Sequence, residues 1–223
     1  MPDDRFDYTE ALHKLCRDVC RKLSEFRNID TELIGYSFSL ARNTTTRFGG
    51  WASVTPLRFE SGSSVTVKER LRRVSGPSGK PEIFKERIYF KTPPVYGADG
   101  RELLYIFNVM APRFLNLSVM EKINTVMHEL YHIDPRFNGD VRRFPGRNWQ
   151  HGNMKAYEAK AESLGRLWLA TDPDPRLYEF LRYNAEELRA KYTRIVGSKF
   201  PKIPLVHISE EEAFRLEPGL RTR

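Results

Sequence analysis

Two histidines four residues apart restrict the fold of this chain more than any other part of its sequence. Residues 128–132 read His-Glu-Leu-Tyr-His. They follow Ser118 and, three residues later, Glu121, which together form a capping-box pattern typical of a helix start. Apolar residues recur at helical spacing, at Met120, Ile123, Met127 and Leu130. Because residues four apart lie one turn apart on one helix face, both imidazoles would point to the same place.

The pattern H-E-x-x-H on a helix is typical of a metal site. His128 and His132 can supply imidazole nitrogens to one ion, whereas Glu129 is offset around the helix and can hold a water molecule. Zinc lowers the pKa of such a water toward about 7, so a nucleophile exists at neutral pH. The carboxylate takes the proton and passes it to the leaving amine. The sequence therefore predicts a zinc site with Glu129 as the general base.

A catalytic zinc site commonly has three protein ligands and one open position. We expect His151 to be the third ligand, because the segment between His132 and His151 is long enough to fold back onto the helix. Glu158 and Glu162 are the alternatives, since they lie one turn apart in the next helical segment and glutamate also completes such sites. Residue types and spacing alone leave this choice open.

Four further side chains are candidates for stabilising an oxyanion or holding an acidic substrate. Three are arginines between the expected second and third ligands, namely Arg142, Arg143 and Arg147. The fourth is Tyr157, which carries a hydroxyl donor. Nothing in the sequence selects among them, and each arginine could equally hold a loop in place or face solvent.

A basic segment precedes the motif. Residues 65–74 and 83–91 alternate in part between apolar and basic side chains, with turn-forming residues 75–79 between them. This predicts a long β-hairpin with one basic face. Between residues 68 and 91, eight Lys or Arg residues stand against three Glu residues. Such an excess can bind nucleic-acid phosphates or an acidic protein, and a solvated face is the other interpretation.

The remaining periodicities predict a mixture of helices and strands. Short aromatic and β-branched runs at 34–40 and 51–59 predict strands, and the nearly apolar run at 103–110 predicts a buried strand. Helical spacing predicts three further helices, at 8–26, 153–170 and 176–192. The fold class that we predict is α+β, with the motif helix on a mixed, mostly antiparallel sheet.

We expect a single domain over residues 1–223. Its core would span about residues 30–170, with the N-terminal helix before it and a C-terminal helical extension at 171–223. Cys16 and Cys20 lie one turn apart on the apolar stripe of the first helix, and we interpret them as buried core residues.

Composition excludes several classes of protein. The chain has 223 residues, a formal net charge of +8 and 12% aromatic residues, which are too many for a disordered chain. No apolar run approaches the roughly 18 residues of a membrane span. The acidic N-terminus lacks the apolar stretch of a signal peptide, and two cysteines give no disulfide framework. We therefore expect a cytoplasmic protein without a membrane partner.

The motif His128-Glu129-x-x-His132, followed by His151-Gly152, resembles that of zinc metallopeptidases of phages and bacteria. It is also distantly similar to the SprT/Spartan-like zinc proteases. The resemblance covers about residues 33–170 in the order of elements. It implies a zincin-like fold, zinc as the cofactor and an edge strand, within residues 103–110, along which an extended peptide lies.

Taken together, these patterns predict a zinc-dependent peptidase that acts on a polypeptide. His128, His132 and His151 would bind the metal, and Glu129 would be the catalytic base. The alternative is a non-catalytic or narrowly regulatory metal-containing module that binds nucleic acid or one protein partner through the hairpin at 68–91.

Overall fold

The computed structural model describes residues 5–40, 50–75, 81–146 and 149–222. Within them, the α-helices are α1 (Tyr8–Lys22), α2 (Val119–Tyr131), α3 (Met154–Leu169), α4 (Ala185–Lys191) and α5 (Glu210–Leu216). The strands are β1 (Arg5–Asp7), β2 (Ile34–Leu40), β3 (Ala52–Pro56), β4 (Val65–Ser75), β5 (Pro81–Lys91), β6 (Tyr105–Ala111), β7 (Arg194–Val196) and β8 (Val206–Ile208). The fold is mixed α+β, as the sequence predicts.

Strands β2, β6 and β3 form the sheet of the main core. β6 lies in the centre, parallel to β2 and antiparallel to β3. Five of its seven residues are buried and the other two are half-buried, which explains its apolar sequence. The expectation that residues 103–110 form an edge strand is therefore wrong. The edge strand beside the motif helix is β3, whose Val54 reaches Glu129 of α2.

Helices α1, α2 and α3 pack into the same core as this sheet. The predicted capping box at the start of α2 is present, between Ser118 and Glu121. α2 and α3 approach closely at Gly165, where an added β-carbon would lie 2.6 Å from Oδ1 of Asn124. Trp168 of α3 is fully buried and donates its indole N–H to Asp18 of α1 at 3.0 Å. These contacts place α2 and α3 side by side.

The first helix is shorter than predicted. α1 ends at Lys22 because Leu23 adopts extended backbone, and a 3-10 turn at Ser24–Phe26 follows. Cys16 and Cys20 are both buried and free. Burial raises the pKa of the Cys16 thiol to about 12 and also raises that of Cys20. They are core residues, as predicted.

The predicted hairpin is formed by β4 and β5, and β8 pairs with β5 at residues 89–91. Its register places Arg72 opposite Phe84 and Leu71 opposite Lys85. Because successive side chains in a strand alternate between faces, Arg72 and Lys85 lie on opposite faces. The prediction of one basic face is therefore wrong, since both faces carry basic residues. Residues 76–79 of the turn expected at 75–79 lie outside the described residues.

The C-terminal part is less helical than predicted. β7 pairs in parallel with β1, and β8 joins the hairpin sheet, so residues 171–223 are not simply a helical extension. The helix expected at 176–192 is replaced by two 3-10 turns and α4. Tyr183 has extended backbone, and Asn184 starts α4 with a new capping box. Among the described helices, none has the length and apolar character needed to cross a membrane.

Candidate metal centre

The end of α2 and the start of α3 bring three histidines together. His128 lies in the last turn of α2, His132 caps its C-terminal end, and His151 lies three residues before α3. The Nε2 atoms of His128 and His132 are 3.1 Å apart. One ring nitrogen from each histidine lies within 4.8 Å of the other two. Two nitrogens on a tetrahedral zinc ion are about 3.3 Å apart, so the first pair already has nearly that spacing.

The loop at 133–150 returns to α2 through backbone hydrogen bonds. The Arg142 N–H donates to the carbonyl of His132 at 2.6 Å. Ile133 and Val141 form an isolated antiparallel bridge. Together they fold the loop back along the end of the helix, which explains how His151 can approach His132 although it lies nineteen positions further along the sequence.

Glycine is required directly after His151. Gly152 has φ +60°, a backbone conformation that residues with a β-carbon rarely adopt. An added β-carbon would also lie 3.2 Å from the side chain of Phe144, whose N–H donates to the carbonyl of Trp149 at 2.7 Å. The His-Gly pair is thus the local sequence that lets the chain pass from the loop into α3 with His151 beside α2.

Tyr157 of α3 lies against all three imidazoles. Its ring centroid is 4.7 Å from that of His128, 5.1 Å from that of His132 and 5.0 Å from that of His151. Its hydroxyl donates to the backbone carbonyl of His128 at 3.2 Å. Burial raises its pKa, so the hydroxyl stays protonated. Tyr157, a candidate oxyanion donor from sequence, is thus placed as a support for the ligand rings.

The three imidazoles are neutral at neutral pH. Burial, together with the neighbouring imidazoles, lowers the pKa of His128 to about 4 and that of His132 to about 3. Burial also lowers the pKa of His151. The neutral ring is the form of histidine that binds a metal, because its nitrogen lone pair is not occupied by a proton.

Glu129 lies next to the triad but is held by strand β3. Its Oε2 accepts a hydrogen bond from the Val54 N–H at 2.9 Å. Its side chain is buried, and burial raises its pKa to about 7, against the opposing effect of that hydrogen bond. In the described part of the chain, no donor contacts its second oxygen, Oε1. This oxygen is therefore available to a bound molecule.

The structure does not bring the two alternative ligands into the triad. Glu158 and Glu162 are exposed on α3, and neither belongs to the ligand cluster among the described residues. Glu162 forms an ion pair with Arg166 one turn later. Glu158 lines the cavity beside His151.

Two of the three candidate arginines hold the loop in place. Arg143 donates from two nitrogens to the carboxylate of Asp140, both at 3.0 Å. Arg142 donates to the carbonyl of Tyr131 at 2.8 Å and lies over its ring. Both guanidinium groups are thus engaged by protein groups. Arg147 lies outside the described residues.

A cleft opens on both sides of the triad. One cavity of about 690 Å³ lies between α2, α3 and the start of β3, and a second of about 340 Å³ lies between β3 and the loop before His151. The residues that line both cavities are Ala52, His128, Glu129 and His151. A molecule bound across both cavities would therefore lie against His128, Glu129 and His151.

Sequence reasoning missed the part that β3 plays. The group that fixes Glu129 is the backbone N–H of Val54, and any residue except proline supplies such a group. The carboxylate partner of this N–H lies 75 positions further along the chain. No residue-type signal could have revealed this contact, because it depends on which strand lies at the sheet edge.

Comparisons with known proteins assign no family to this chain. No protein-family model matches it. No curated protein and no solved structure matches it either. Function therefore has to be inferred from the residues of the site.

Proposed function

We propose that this protein is a zinc-dependent peptidase with a zincin-like catalytic centre. The observation that supports this most strongly is the convergence of three neutral imidazoles beside a buried carboxylate, Glu129, in an open cleft. The same residues carry the resemblance to the SprT/Spartan-like zinc proteases. A structural metal site would have no use for a carboxylate that is aimed at the cleft but lies outside the ligand set.

The donor set fits zinc. His128, His132 and His151 offer three nitrogens, which zinc prefers over the oxygen ligands of magnesium or calcium, and three protein ligands leave one position open. When bound, zinc would supply a Lewis acid that polarises the scissile carbonyl and lowers the pKa of a water molecule.

The chain's own residues account for positioning and proton transfer. Oε1 of Glu129 accepts the proton of the attacking water and afterwards donates it to the amine that leaves. The Val54 N–H, bound to Oε2, keeps the carboxylate in one orientation during both transfers. The Tyr157 hydroxyl donates a hydrogen bond to the backbone carbonyl of His128 and thereby limits movement of the His128 ring.

The substrate that we propose is an extended segment of polypeptide. β3 is an edge strand beside Glu129, and edge strands bind extended peptides by adding a further strand. The two cavities on either side of the triad would take the side chains before and after the scissile bond.

Cleavage of a labelled unfolded protein, such as casein, tests this function. Zinc-loaded wild type should cleave it, and Glu129→Gln should reduce the rate by about 10²–10⁴-fold without loss of zinc. Glu211→Gln is the matched control, because it makes the same change on an exposed glutamate of α5 outside the cleft and should retain activity. Cleavage by Glu129→Gln at the wild-type rate would disprove the mechanism.

The alternative is a metal-containing module that binds nucleic acid or one protein partner without general proteolysis. The basic hairpin is the observation that favours it. One zinc per chain with no cleavage of any unfolded substrate would support this alternative. For both functions we propose a cytoplasmic location, because two buried free cysteines suit a reducing compartment.

A further inference from the structure

Beyond its base, the β4–β5 hairpin extends away from the hydrophobic cores. β8 covers β5 only at residues 89–91, and a small cluster around Val65 and Tyr89 closes the base. Residues 68–74 and 83–87, which we call the arm, are exposed at every position. At about 3.4 Å per residue, the arm is roughly 20 Å long.

Basic side chains lie on both faces of the arm. Alternation places Lys68, Arg70 and Arg72 on the first face and Arg73 and Lys85 on the second. The cation–π contact of Lys68 with Phe90 is consistent with this assignment of faces. Within the described residues, Arg70, Arg72 and Arg73 have no ion-pair partner. Lys85 on β5 forms an exposed ion pair with Glu69 at 3.4 Å. A surface with basic residues on both faces, three of them unpaired, has the charge to bind a polyanion.

Exposed apolar side chains accompany these charges. Leu71 is 66% exposed, Ile83 is 59% exposed and Phe84 is 52% exposed. Leu71 and Ile83 share the second face, and Phe84 lies opposite Arg72 on the first. More than half of the surface of each of these side chains is exposed, and such exposure of apolar groups in one place is typical of an interaction site.

We propose that the arm binds double-stranded DNA by entering the major groove. A two-stranded ribbon fits this groove, which is about 12 Å wide and has phosphates along both walls. Basic residues on both faces can therefore contact phosphates at the same time. The exposed apolar side chains would lie near the base edges, where thymine methyl groups offer an apolar surface.

Other polyanions fit the arm less well. An anionic membrane is flat and would meet one face or the tip, leaving the basic residues of the other face unused. Single-stranded nucleic acid is bound by aromatic residues in series, whereas Phe84 is the one aromatic residue on the exposed arm described here. The major groove of double-stranded RNA is too narrow and deep for side chains to read.

The test is fluorescence anisotropy of a labelled DNA duplex of about 20 base pairs, titrated with the full chain at several salt concentrations. The first-face variant is Lys68→Ala/Arg70→Ala/Arg72→Ala, and the second-face variant is Arg73→Ala/Lys85→Ala. The matched control, Arg17→Ala/Arg182→Ala/Arg189→Ala, removes three exposed charges elsewhere. Each lost phosphate contact should lower the slope of log K against log salt by about 0.9.

We expect the first-face variant to bind at least tenfold more weakly, with the slope lowered by nearly three, and the second-face variant to lower it by nearly two. Equal losses in the control would show general charge attraction and overturn the proposal. A loss confined to one face would exclude groove binding. Preference for anionic vesicles, single strands or double-stranded RNA over the DNA duplex would also overturn it.

These experiments distinguish failure of the DNA-binding proposal from failure of the peptidase proposal. Glu129→Gln removes no charge from the arm and should bind the duplex as the wild type does. If the protein binds the duplex but does not cleave polypeptides, the arm proposal is supported and the peptidase proposal is not. If it cleaves polypeptides but does not bind the duplex, the peptidase proposal is supported and the arm proposal is not. Urea unfolding of each arm variant checks that exposed substitutions have not unfolded the chain.

Discussion

The metal centre and the arm both concentrate basic side chains, but their surroundings are opposite. In the metal centre, burial lowers the pKa of His128 and His132 and keeps them neutral. In the arm, the arginine and lysine side chains are exposed to solvent. A metal site needs neutral donors at fixed positions, whereas a phosphate-binding surface needs charge at many positions.

This difference predicts how each region responds to substitution. In the proposed metal centre, each ligand atom must occupy one position, so the loss of a single ligand or of the carboxylate should abolish the proposed function. In the arm, contributions are similar and additive, so single changes have small, graded effects. Buried contacts of α2 should contribute strongly to the free energy of unfolding, whereas arm residues should contribute little to it.

The largest expected effect of pH on stability concerns Lys122, a buried residue of α2. Its ammonium donates to the carbonyls of Leu181 at 2.7 Å and Tyr183 at 3.0 Å, and burial lowers its pKa to about 8. The unfolded chain, with a pKa near 10.5, binds more protons between pH 8 and 10.5. The contribution of Lys122 to the free energy of unfolding should therefore rise by up to about 3 kcal/mol across this window. This rise is the difference expected between wild type and Lys122→Met, because the buried thiols of Cys16 and Cys20 act in the opposite direction in both proteins.

Urea unfolding from pH 7 to 10.5 measures this rise. Lys122→Met should lack it, since the titrating group is gone. Arg72→Met in the arm removes a cation of similar length from an exposed position and should keep the rise. An identical pH course in wild type and Lys122→Met would refute the assignment.

An intermediate effect is expected at Val54, whose N–H points to Glu129 instead of to β6. Val54→Pro removes this donor at a sheet edge, where proline does not break the strand ladder. Loss of a hydrogen bond to a charged group corresponds to about 1.5–3 kcal/mol, so the proteolytic rate should fall by about 10–100-fold. Val54→Ala keeps the N–H and should stay close to wild type. Equal activity of the two variants would show that this hydrogen bond has no catalytic effect.

The smallest effect is expected for single apolar residues of the arm. Phe84→Ser should change the free energy of unfolding by no more than about 0.5 kcal/mol, because Phe84 is exposed and packs against no core. Phe107→Ser in β6 is the matched comparison, and it should cost several kcal/mol because that ring is fully buried. Similar urea midpoints for the two variants would remove the contrast between arm and core.

Sequence reasoning succeeded where the signal is local. The capping box of α2 and the helical spacing of His128 and His132 both act within a few residues. It failed for features that depend on how strands pair. The edge position of β3 and the two basic faces of the arm depend on the order and register of strands, which spacing along the chain does not encode.

The short C-terminal elements show the same limit. The helix expected at 176–192 has suitable spacing, but Asn184 caps a separate short helix instead. β7 and β8 are three residues each and exist through pairing with β1 and β5. Tertiary partners, rather than local preference, determine such short strands.

The metal content of the purified protein tests the central claim most directly. Mass spectrometry of wild type should find about one zinc per chain, which His151→Ala loses and Glu158→Ala/Glu162→Ala keeps. This result would establish the three-histidine site. Zinc retained by His151→Ala and lost from the glutamate variant would contradict it, as would a wild type that holds no metal after zinc is supplied.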